Sequence, residues 1–445
     1  MPEPQSAGDY NIVSFLIHSH RSDEPIEIGR HIDEIEIFEN IELPYLTGTF
    51  SMKDDLNIYD GIDFNGTEMV EISFESVHNF GVIITKRFTV SEIVSSAKAT
   101  ENIEAFEIKM IETNAFNNTM MQINKAYTGT PDQIIKKILK DNLDIDMAEE
   151  DMPSVKQYQE PMKFVVPFLT PFEACEVIRS KMSTDLGLPY FLYSTLNYNT
   201  LQLKSLEEML KTPSINSSAP YRFSQAYNQS MASVGATENA INVSAYTSAH
   251  SHNSLTLMST GSTAGQHSIT DMTTGQTIKY NFDVDELFAN MAQVQLIKDD
   301  TVPVHHSQYQ FNNKMMNEYN TKNVHRAVAN DTYTDINNIH QETNAGAFRL
   351  DACNHALRNM LFKSSMSIRV PGKFYLLGDN GSIGRQIDFV YPSNNSAPSG
   401  QGEVSADDLE DKKRSGVFII YTARHHFNDT QHNVDMSCVK LGNRK

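Results

Sequence analysis

The chain has 445 residues, of which 40% are hydrophobic and 21% are charged, and its formal net charge is −20. This length is too great for one ordinary hydrophobic core, so we expect about two to four domains, and no apolar run approaches the roughly 18 residues of a membrane-spanning helix. The acidic balance opposes attractive binding of nucleic acid, which relies on Lys and Arg to neutralise phosphates.

The cysteine content indicates a reducing compartment. Cys175, Cys353 and Cys438 lie far apart and form no CxxC pair. A sparse and odd number of cysteines argues against a disulfide framework. The opening residues, MPEPQSAGDYN, carry neither the basic nor the apolar region of a secretory signal. We therefore expect synthesis in a cytoplasm.

The first part of the chain, residues 10–112, carries mostly β signals. Ile35 and Ile37 alternate with glutamates, and a similar alternation recurs near residue 70. A period of two is typical of a strand with one buried face. Turn residues punctuate the stretch 44–66 between these strands, which predicts a projecting arm that contacts neighbours. Several short strands predict a sandwich or a small barrel.

Residues 113–212 are predicted to form a small α/β module. Thr130-Pro131 and Thr170-Pro171 each combine a capping threonine with a first-turn proline, and Gln or Glu follows three residues after each cap. The second helix is predicted to end at Gly187. The phrases LPYFLYSTL and LQLKSLEEML then predict a strand pair, followed by a short helix that Ser205 caps.

A polar region follows the module. Residues 213–282 are rich in Ser, Thr, Asn and Gly, and contain short strand candidates in NAINVSAY, SLTLMS and TIKYNF. Such runs are also typical of long loops or edge strands. The apolar spacing in 284–297 predicts an amphipathic helix, and that in 346–363 predicts a second.

The C-terminal part reads as β structure again. SMSIRV, SGVFIIYTARHHF and NVDMSCVKLG alternate as strands, and Pro371-Gly372 predicts a turn. The polar run 393–415 is predicted to be mobile or an excursion. Both β parts use short alternating strands, so they are interpreted as two copies of one domain, although no tight sequence repeat connects them.

No catalytic, cofactor or metal site emerges from the sequence. His305-His306 and His425-His426 are adjacent pairs, and neighbouring strand residues face opposite ways, so one pair rarely supplies two ligands to one metal. HExxH and GxSxG are absent. The loop GDNGSIG, residues 378–384, lacks the spacing and lysine of a phosphate loop and predicts a hairpin turn. We therefore predict that the protein is not an enzyme.

Several phrases resemble one family. IELPYLTGTFSMKDDLNIYDGIDFNGTEMVEISF, KAYTGTPDQIIKKILKDNL and LQLKSLEEML are similar to parts of the baseplate hub proteins of contractile-tailed, T-even-like phages. SIRVPGKFYLL and GVFIIYTARHHF resemble the closing β part of that family and, more loosely, of type VI secretion spike proteins. The resemblance covers most of 10–212 and 345–442.

The resemblance implies a multidomain α+β fold with two β-barrel-like domains of the tail-tube type. The first domain would be 10–112, and the second would combine 213–240 with 300–445. The α/β module 113–212 would lie between them, and a β/helix region 241–299 would be inserted within the second domain.

The resemblance also implies a function. Three copies would form a ring that adapts a six-fold tail tube to a three-fold central spike, with the tube protein, the spike protein and baseplate wedge proteins as partners. Genomic DNA would pass through an acidic lumen without specific binding, and the protein would reside in the virion tail baseplate. Tyr45, Asp54 and Tyr59 in the predicted arm are candidate contacts between subunits, because aromatic residues concentrate interface energy. The alternatives are a type VI secretion-like spike component and a tail-associated cell-wall hydrolase.

Overall fold

The computed structural model describes the chain apart from residues 1–9, 23, 63, 77–82, 102, 148–161, 198, 218–219, 224–240, 244, 251–253, 273–274, 298–300, 304–308, 329–344, 362–363, 373–381, 394–409, 429–430 and 445. The strands, labelled β1 to β25 in chain order, are Tyr10–His18, Ile26–Glu27, Ile32–Asn40, Thr47–Asp54, Met69–Ser76, Ile83–Lys98, Glu104–Glu112, Ala126–Gly129, Met162–Val165, Tyr190–Tyr193, Gln202–Ser205, Tyr221–Phe223, Ile241–Val243, Ala245–His250, Ala264–Asp271, Thr277–Asp283, Thr301–Pro303, Gln310–Phe311, Lys314–Met315, Lys322–Val328, Ser364–Pro371, Gln386–Val390, Gly416–Asn428, Gln431–Val439 and Gly442–Arg444. The α-helices, labelled α1 to α8, are Ile58–Ile62, Thr113–Thr119, Pro131–Leu143, Pro171–Ser180, Leu206–Lys211, Ser254–Thr260, Val284–Gln293 and Ala345–Leu361.

One large sheet dominates the described part of the chain. It contains fourteen strands in the order β13-β12-β22-β23-β3-β4-β7-β6-β5-β1-β2, and β24, β21 and β14 branch from β23. The order runs between open ends, so a closed barrel is not seen among the described residues. The mixed α+β prediction is confirmed in this coarse form, and a barrel shape stays a prediction.

Two groups of five antiparallel strands within this sheet have the same order. Unit A consists of β3 to β7, which lie side by side as β3-β4-β7-β6-β5. Unit B consists of β14 and β21 to β24, which lie side by side as β14-β21-β24-β23-β22. When the strands of each unit are numbered along the chain, both orders read 1-2-5-4-3. The chain therefore contains one strand topology twice.

The two units also match in the positions of buried residues and in one β-bulge. Three buried residues of the second strand occupy the same pairing positions in both units, namely Gly48, Phe50 and Met52 in β4 and Met366, Ile368 and Val370 in β21. In the fourth strand, one extra residue interrupts the pairing with the fifth strand at the same place, which is Ser91 in β6 and Tyr421 in β23. This shared β-bulge fixes the alignment of the two fourth strands.

Each unit has its own apolar core. The core of unit A contains stacked and edge-on aromatic rings, among them Phe15, Phe50 and Phe74. The core of unit B lies between its sheet and two helices, and Leu357 of α8 and Met291 of α7 are fully buried there. The predicted helices near 284 and 346 are thus confirmed, and α7 ends at Gln293.

The α/β module forms a third core, and its helices begin where the sequence predicts. Thr130 and Thr170 both form capping boxes, with Pro131 and Pro171 at the start of α3 and α4. Ser205 caps α5 after the predicted strand pair β10-β11. The predicted helix end at Gly187 is wrong, because α4 ends at Ser180 and the chain turns again before Gly187.

Four further predictions need correction or lie outside the described residues. The predicted arm at 44–66 is wrong, because β4 occupies Thr47–Asp54 and pairs with β3 and β7 inside the large sheet. The phrase SLTLMS forms helix α6 instead of a strand. Most of the predicted turn at 378–384 and of the predicted excursion at 393–415 lies outside the described residues.

The small sheet β16-β15-β20 lies along the chain between β14 and β21, the first and second strands of unit B. Its third strand is Lys322–Val328, which the predicted boundaries assign to the second β domain. Conversely, β14 lies in the predicted insertion but pairs with β21 in the large sheet. Among the described residues, no helix is long and apolar enough to cross a membrane.

Candidate functional site at the seam between units A and B

The two units meet where β3 of unit A pairs with β23 of unit B. The antiparallel pairing runs from Asn40 opposite Thr422 to Glu34 opposite Asn428. Side chains alternate across this seam, so adjacent residues face opposite ways. The adjacent histidines follow this rule as the sequence predicted: His425 is fully buried, whereas 26% of the His426 side chain is exposed.

A buried carboxylate organises the inner face of the seam. Glu39 accepts hydrogen bonds from the backbone N–H of Leu196, from the hydroxyl of Ser382 and from Nε2 of His425, which lies 3.1 Å away. Leu196 lies between β10 and β11 of the α/β module, so the Glu39 side chain connects the module, unit A and unit B. Because a buried polar group is costly unless it is hydrogen-bonded, these three donors satisfy the Glu39 carboxylate.

A second imidazole extends this network. Nδ1 of His425 lies 3.0 Å from Nε2 of His432, and the His432 ring stacks on Phe427 with ring centroids 4.4 Å apart. Among the described residues, Nδ1 of His432 has no hydrogen-bond partner. A proton on this nitrogen would be a buried donor without an acceptor, so we assign the His432 proton to Nε2. Nε2–H of His432 then donates to Nδ1 of His425, and Nε2–H of His425 donates to Glu39.

This arrangement predicts loss of stability in mild acid. Burial, followed by the charges of His425 and His426, holds the pKa of His432 well below its usual value of 6.5. As the pH falls below about 6.5, His432 therefore becomes protonated in the unfolded chain while it stays neutral in the folded protein. This difference lowers the free energy of unfolding by up to about 1.4 kcal/mol per pH unit. Denaturant unfolding at about pH 7.5 and about pH 5.5 measures the effect.

His432→Phe is expected to reduce this pH dependence, because it removes the titrating group. Replacing His325, which is exposed on β20, provides the matched control and should leave the pH dependence unchanged. Equal pH dependence in the wild type and in His432→Phe would contradict the assignment.

A buried ammonium lies within electrostatic reach of the same network. Lys86 is 3% exposed, and its Nζ is 3.9 Å from Oε1 of Glu112. Burial lowers the pKa of Lys86, while Glu112 and Glu39 favour its charged form. The inner face thus carries both signs of charge.

The outer face of the seam carries a second cluster. Glu34, Glu36 and His426 present ligand atoms within 4.8 Å of one another, and among the described residues they form a group that could hold a metal ion. Two carboxylates and one imidazole suit a divalent transition metal. The Arg424 guanidinium, however, pairs with Glu36 and already compensates its charge.

An open groove adjoins this cluster on the outer face. Its volume is about 730 Å³, and it lies over β3, β14, β21, β23 and β24. Phe38 and Tyr246 line it together with Arg424 and the ion pair of Arg369 with Asp435. The groove is therefore mixed in character, with aromatic surface beside paired charges, and its walls come from both units.

A third polar cluster fastens the α/β module to both units. Glu42, which follows β3, accepts from Arg179 of α4 at 3.3 Å and from Arg358 of α8 at 3.2 Å. Both guanidinium groups also donate to the backbone carbonyl of Tyr190. Burial raises the pKa of Glu42, and Arg179 opposes that rise.

The three predicted contact residues all make contacts within the chain. Tyr45 stacks on Phe172 of the α/β module, and Tyr59 stacks on Phe106 in the core of unit A. Asp54 is 5% exposed and accepts from the backbone N–H groups of residues 56, 58 and 59 at the start of α1. A further role of these residues between subunits stays a prediction.

The buried network was not predicted from the sequence, although one signal was present. Glu39 follows Ile35 and Ile37 at a spacing of two, so the alternation that buries the isoleucines also buries this glutamate. An acid on the apolar face of a strand requires buried partners. The identity of those partners depends on strands more than 380 residues away, as for His425, and the sequence pattern does not contain it.

No protein-family model matches the sequence, and no curated protein matches it. Solved structures are similar in fold. The tail protein from Neisseria meningitidis MC58 matches with a TM-score of 0.53 and 11% identity over 97% of both chains. The 43 kDa tail protein of prophage MuSo2 from Shewanella oneidensis matches with a TM-score of 0.52 and 10% identity over 96% of this chain and 98% of its own. The c3393 protein of E. coli, a component of the type VI secretion system, matches with a TM-score of 0.38 and 8% identity over 96% of this chain and 79% of its own. The chain therefore has the overall fold of the two tail proteins from Neisseria and Shewanella.

Proposed function

We propose that the protein is a structural subunit of a contractile phage tail, namely the central hub of the baseplate. Three copies form a ring that adapts the six-fold tail tube to the three-fold central spike. The partners are the tail tube protein, the spike protein and baseplate wedge proteins. The protein acts by binding and has no catalytic role.

The observation that carries this proposal is the strand order that occurs twice in one chain. Three chains with two such units each would present six similar units, which matches the six-fold tube on one side. The ring of three chains itself has three-fold symmetry, which matches the spike on the other side. Closed, symmetric rings are the usual form of soluble homo-oligomers. The similarity of the whole chain to two tail proteins supports the same role.

The remaining assignments follow from the ring. Unit A and its flanking strand β1 form the first tube-like domain within 10–112, and unit B forms the core of the second. The α/β module 113–212 lies outside the ring, toward the spike or the wedges. The net charge of −20 supports an acidic lumen through which genomic DNA passes without specific binding.

The mass of the purified protein in solution tests the proposal. We expect light scattering to give about three times the chain mass of 50.2 kDa, and electron-microscopy averages of that species to show six similar units around a channel. A monomer that stays monomeric when the tube and spike proteins are added would contradict the ring. Turnover of peptidoglycan by the purified chain would contradict the non-enzymatic role and favour a cell-wall hydrolase.

A further inference from the structure

Within the part of the chain that the structure describes, the contact between units A and B leaves one matching strand edge on each unit. We propose that the second half of β6, residues 91–98, pairs with β14 of a neighbouring copy in the way that β23 pairs with β3 within the chain. This inference rests on the proposed ring and identifies the interface that closes it. The occupant of each edge is a second copy of the same protein.

The equivalence of β6 and β23 is the first support. Both are the fourth strand of their unit, and both carry the same β-bulge against the fifth strand, at Ser91 and Tyr421. The first half of each pairs with the third strand, which is β5 or β22. The second half of β23 then pairs with β3, whereas the second half of β6 has a pairing partner only in β7 among the described residues.

Burial separates the two equivalent segments in the direction that the proposal requires. Residues 421, 423, 425 and 427 of β23 are buried beneath the seam. In β6 all residues of 91–98 are exposed except the half-buried Ile93. The same strand position is thus covered in unit B and exposed in unit A, because β3 covers β23 and no equivalent strand covers β6 among the described residues.

The equivalence of β14 and β3 is the second support. Both are the first strand of their unit, and β14 pairs with β21 as β3 pairs with β4. The other edge of β3 pairs with β23, while for β14 no second strand partner occurs among the described residues. Unit B therefore offers the edge that unit A uses at the seam.

The internal seam also gives the register of the proposed pairing. His425 lies opposite Val434 in the fifth strand of unit B, and Ser96 lies opposite Phe106 in the fifth strand of unit A. Phe106 is the equivalent of Val434, so Ser96 is the equivalent of His425. At the seam His425 pairs with Ile37.

Ile37 lies opposite Gly48 in β4, and the equivalent pair in unit B is Ser248 opposite Met366. Ser96 of one copy should therefore face Ser248 of the next.

The side chains at these edges suit close pairing of two strands. Ser96 and Ala97 would face Ser248 and Thr247, so small neutral groups meet and no like charges oppose each other. Unpaired strand edges bind further strands readily, and the two bulges of β6 restrict which strand fits. A contact between different edges is head-to-tail, so it repeats around a ring until the ring closes.

A pair of cysteines tests the proposed register. In Ser96→Cys/Ser248→Cys, opposed Cα atoms of the two copies should lie about 4.5–5.5 Å apart, which a disulfide spans. Mild oxidation is expected to give covalent dimers and trimers on a non-reducing gel, about tenfold or more above the control pair Ser91→Cys/Ser248→Cys, whose residues should be about 15 Å or more apart. The native cysteines are buried, which keeps them out of the reaction. Each single variant should give no closed trimer.

The outcomes separate this inference from the proposed function. A trimer by light scattering together with cross-linked Ser96→Cys/Ser248→Cys supports both. A trimer in which this pair cross-links no better than the control overturns the strand pairing and leaves the hub proposal standing. A species that stays monomeric overturns both.

Discussion

Replacing Glu39 by alanine is expected to lower the free energy of unfolding by about 3–5 kcal/mol, the cost of removing one partner from a buried charged network. The loss has two physical sources. The amide of Leu196 and the hydroxyl of Ser382 would lose their acceptor in a site that water does not reach. The positive charge of the buried Lys86 would also lose one of the two carboxylates that favour it.

The matched control is Glu34→Ala, on the same strand but on its outer face. The Glu34 side chain is 40% exposed and pairs with His426, so its removal should cost no more than about 1 kcal/mol. Because the chain contains no tryptophan, urea unfolding is best followed by circular dichroism and tyrosine fluorescence. Equal losses for Glu39→Ala and Glu34→Ala would contradict the role given to the buried network.

Much of the local structure was predictable because it depends on neighbours in the sequence. The threonine–proline pairs at 130 and 170 define helix starts, since the cap, the proline and the third residue act within one turn. Alternating strands such as β7 and β21 reveal their buried faces directly. These features need no knowledge of the rest of the fold.

The predicted arm failed because a glycine has more than one physical use. Gly48 reads as a turn residue, yet it lies within β4, where an added Cβ would approach the carbonyl oxygen of Glu36 to 2.7 Å and a methyl of Met110 to 2.6 Å. The glycine permits a close approach between packed strands. The residues that demand it lie on two other strands, so the sequence near residue 48 carries no sign of this use.

The repeated strand order was predicted only as a pattern of two β parts. Its two copies have different side chains at most equivalent positions, and unit B is interrupted between its first and second strands by α6, α7, the small sheet and α8. What the copies share is pairing order, a bulge and a burial pattern. Those properties depend on backbone geometry, and many different residue types are compatible with them, so the sequence indicates them only weakly.

Replacing Gly372 by alanine is expected to destabilise the protein by about 3 kcal/mol, the upper part of the usual range for an overpacked site. Pro371-Gly372 was predicted as a simple turn, but Gly372 is buried and donates a backbone hydrogen bond of 2.7 Å to the carbonyl of His432. An added Cβ would lie 1.8 Å from Nδ1 of His432 and 2.3 Å from its Cγ. The His432 ring cannot move away freely, because it stacks on Phe427 and its Nε2 lies 3.0 Å from Nδ1 of His425.

The double variant Gly372→Ala/His432→Ala separates this clash from a general effect of alanine at the site. Because truncation of His432 removes the atoms that collide, the loss in the double variant should fall short of the sum of the single losses by about 1–3 kcal/mol. Gly61→Ala is the control, since an added Cβ there meets no atom within 4 Å, and it should be close to neutral. Additive losses in the double variant would show that the alanine acts through the backbone, and the contact between Gly372 and His432 would then not be the reason that glycine occupies this position.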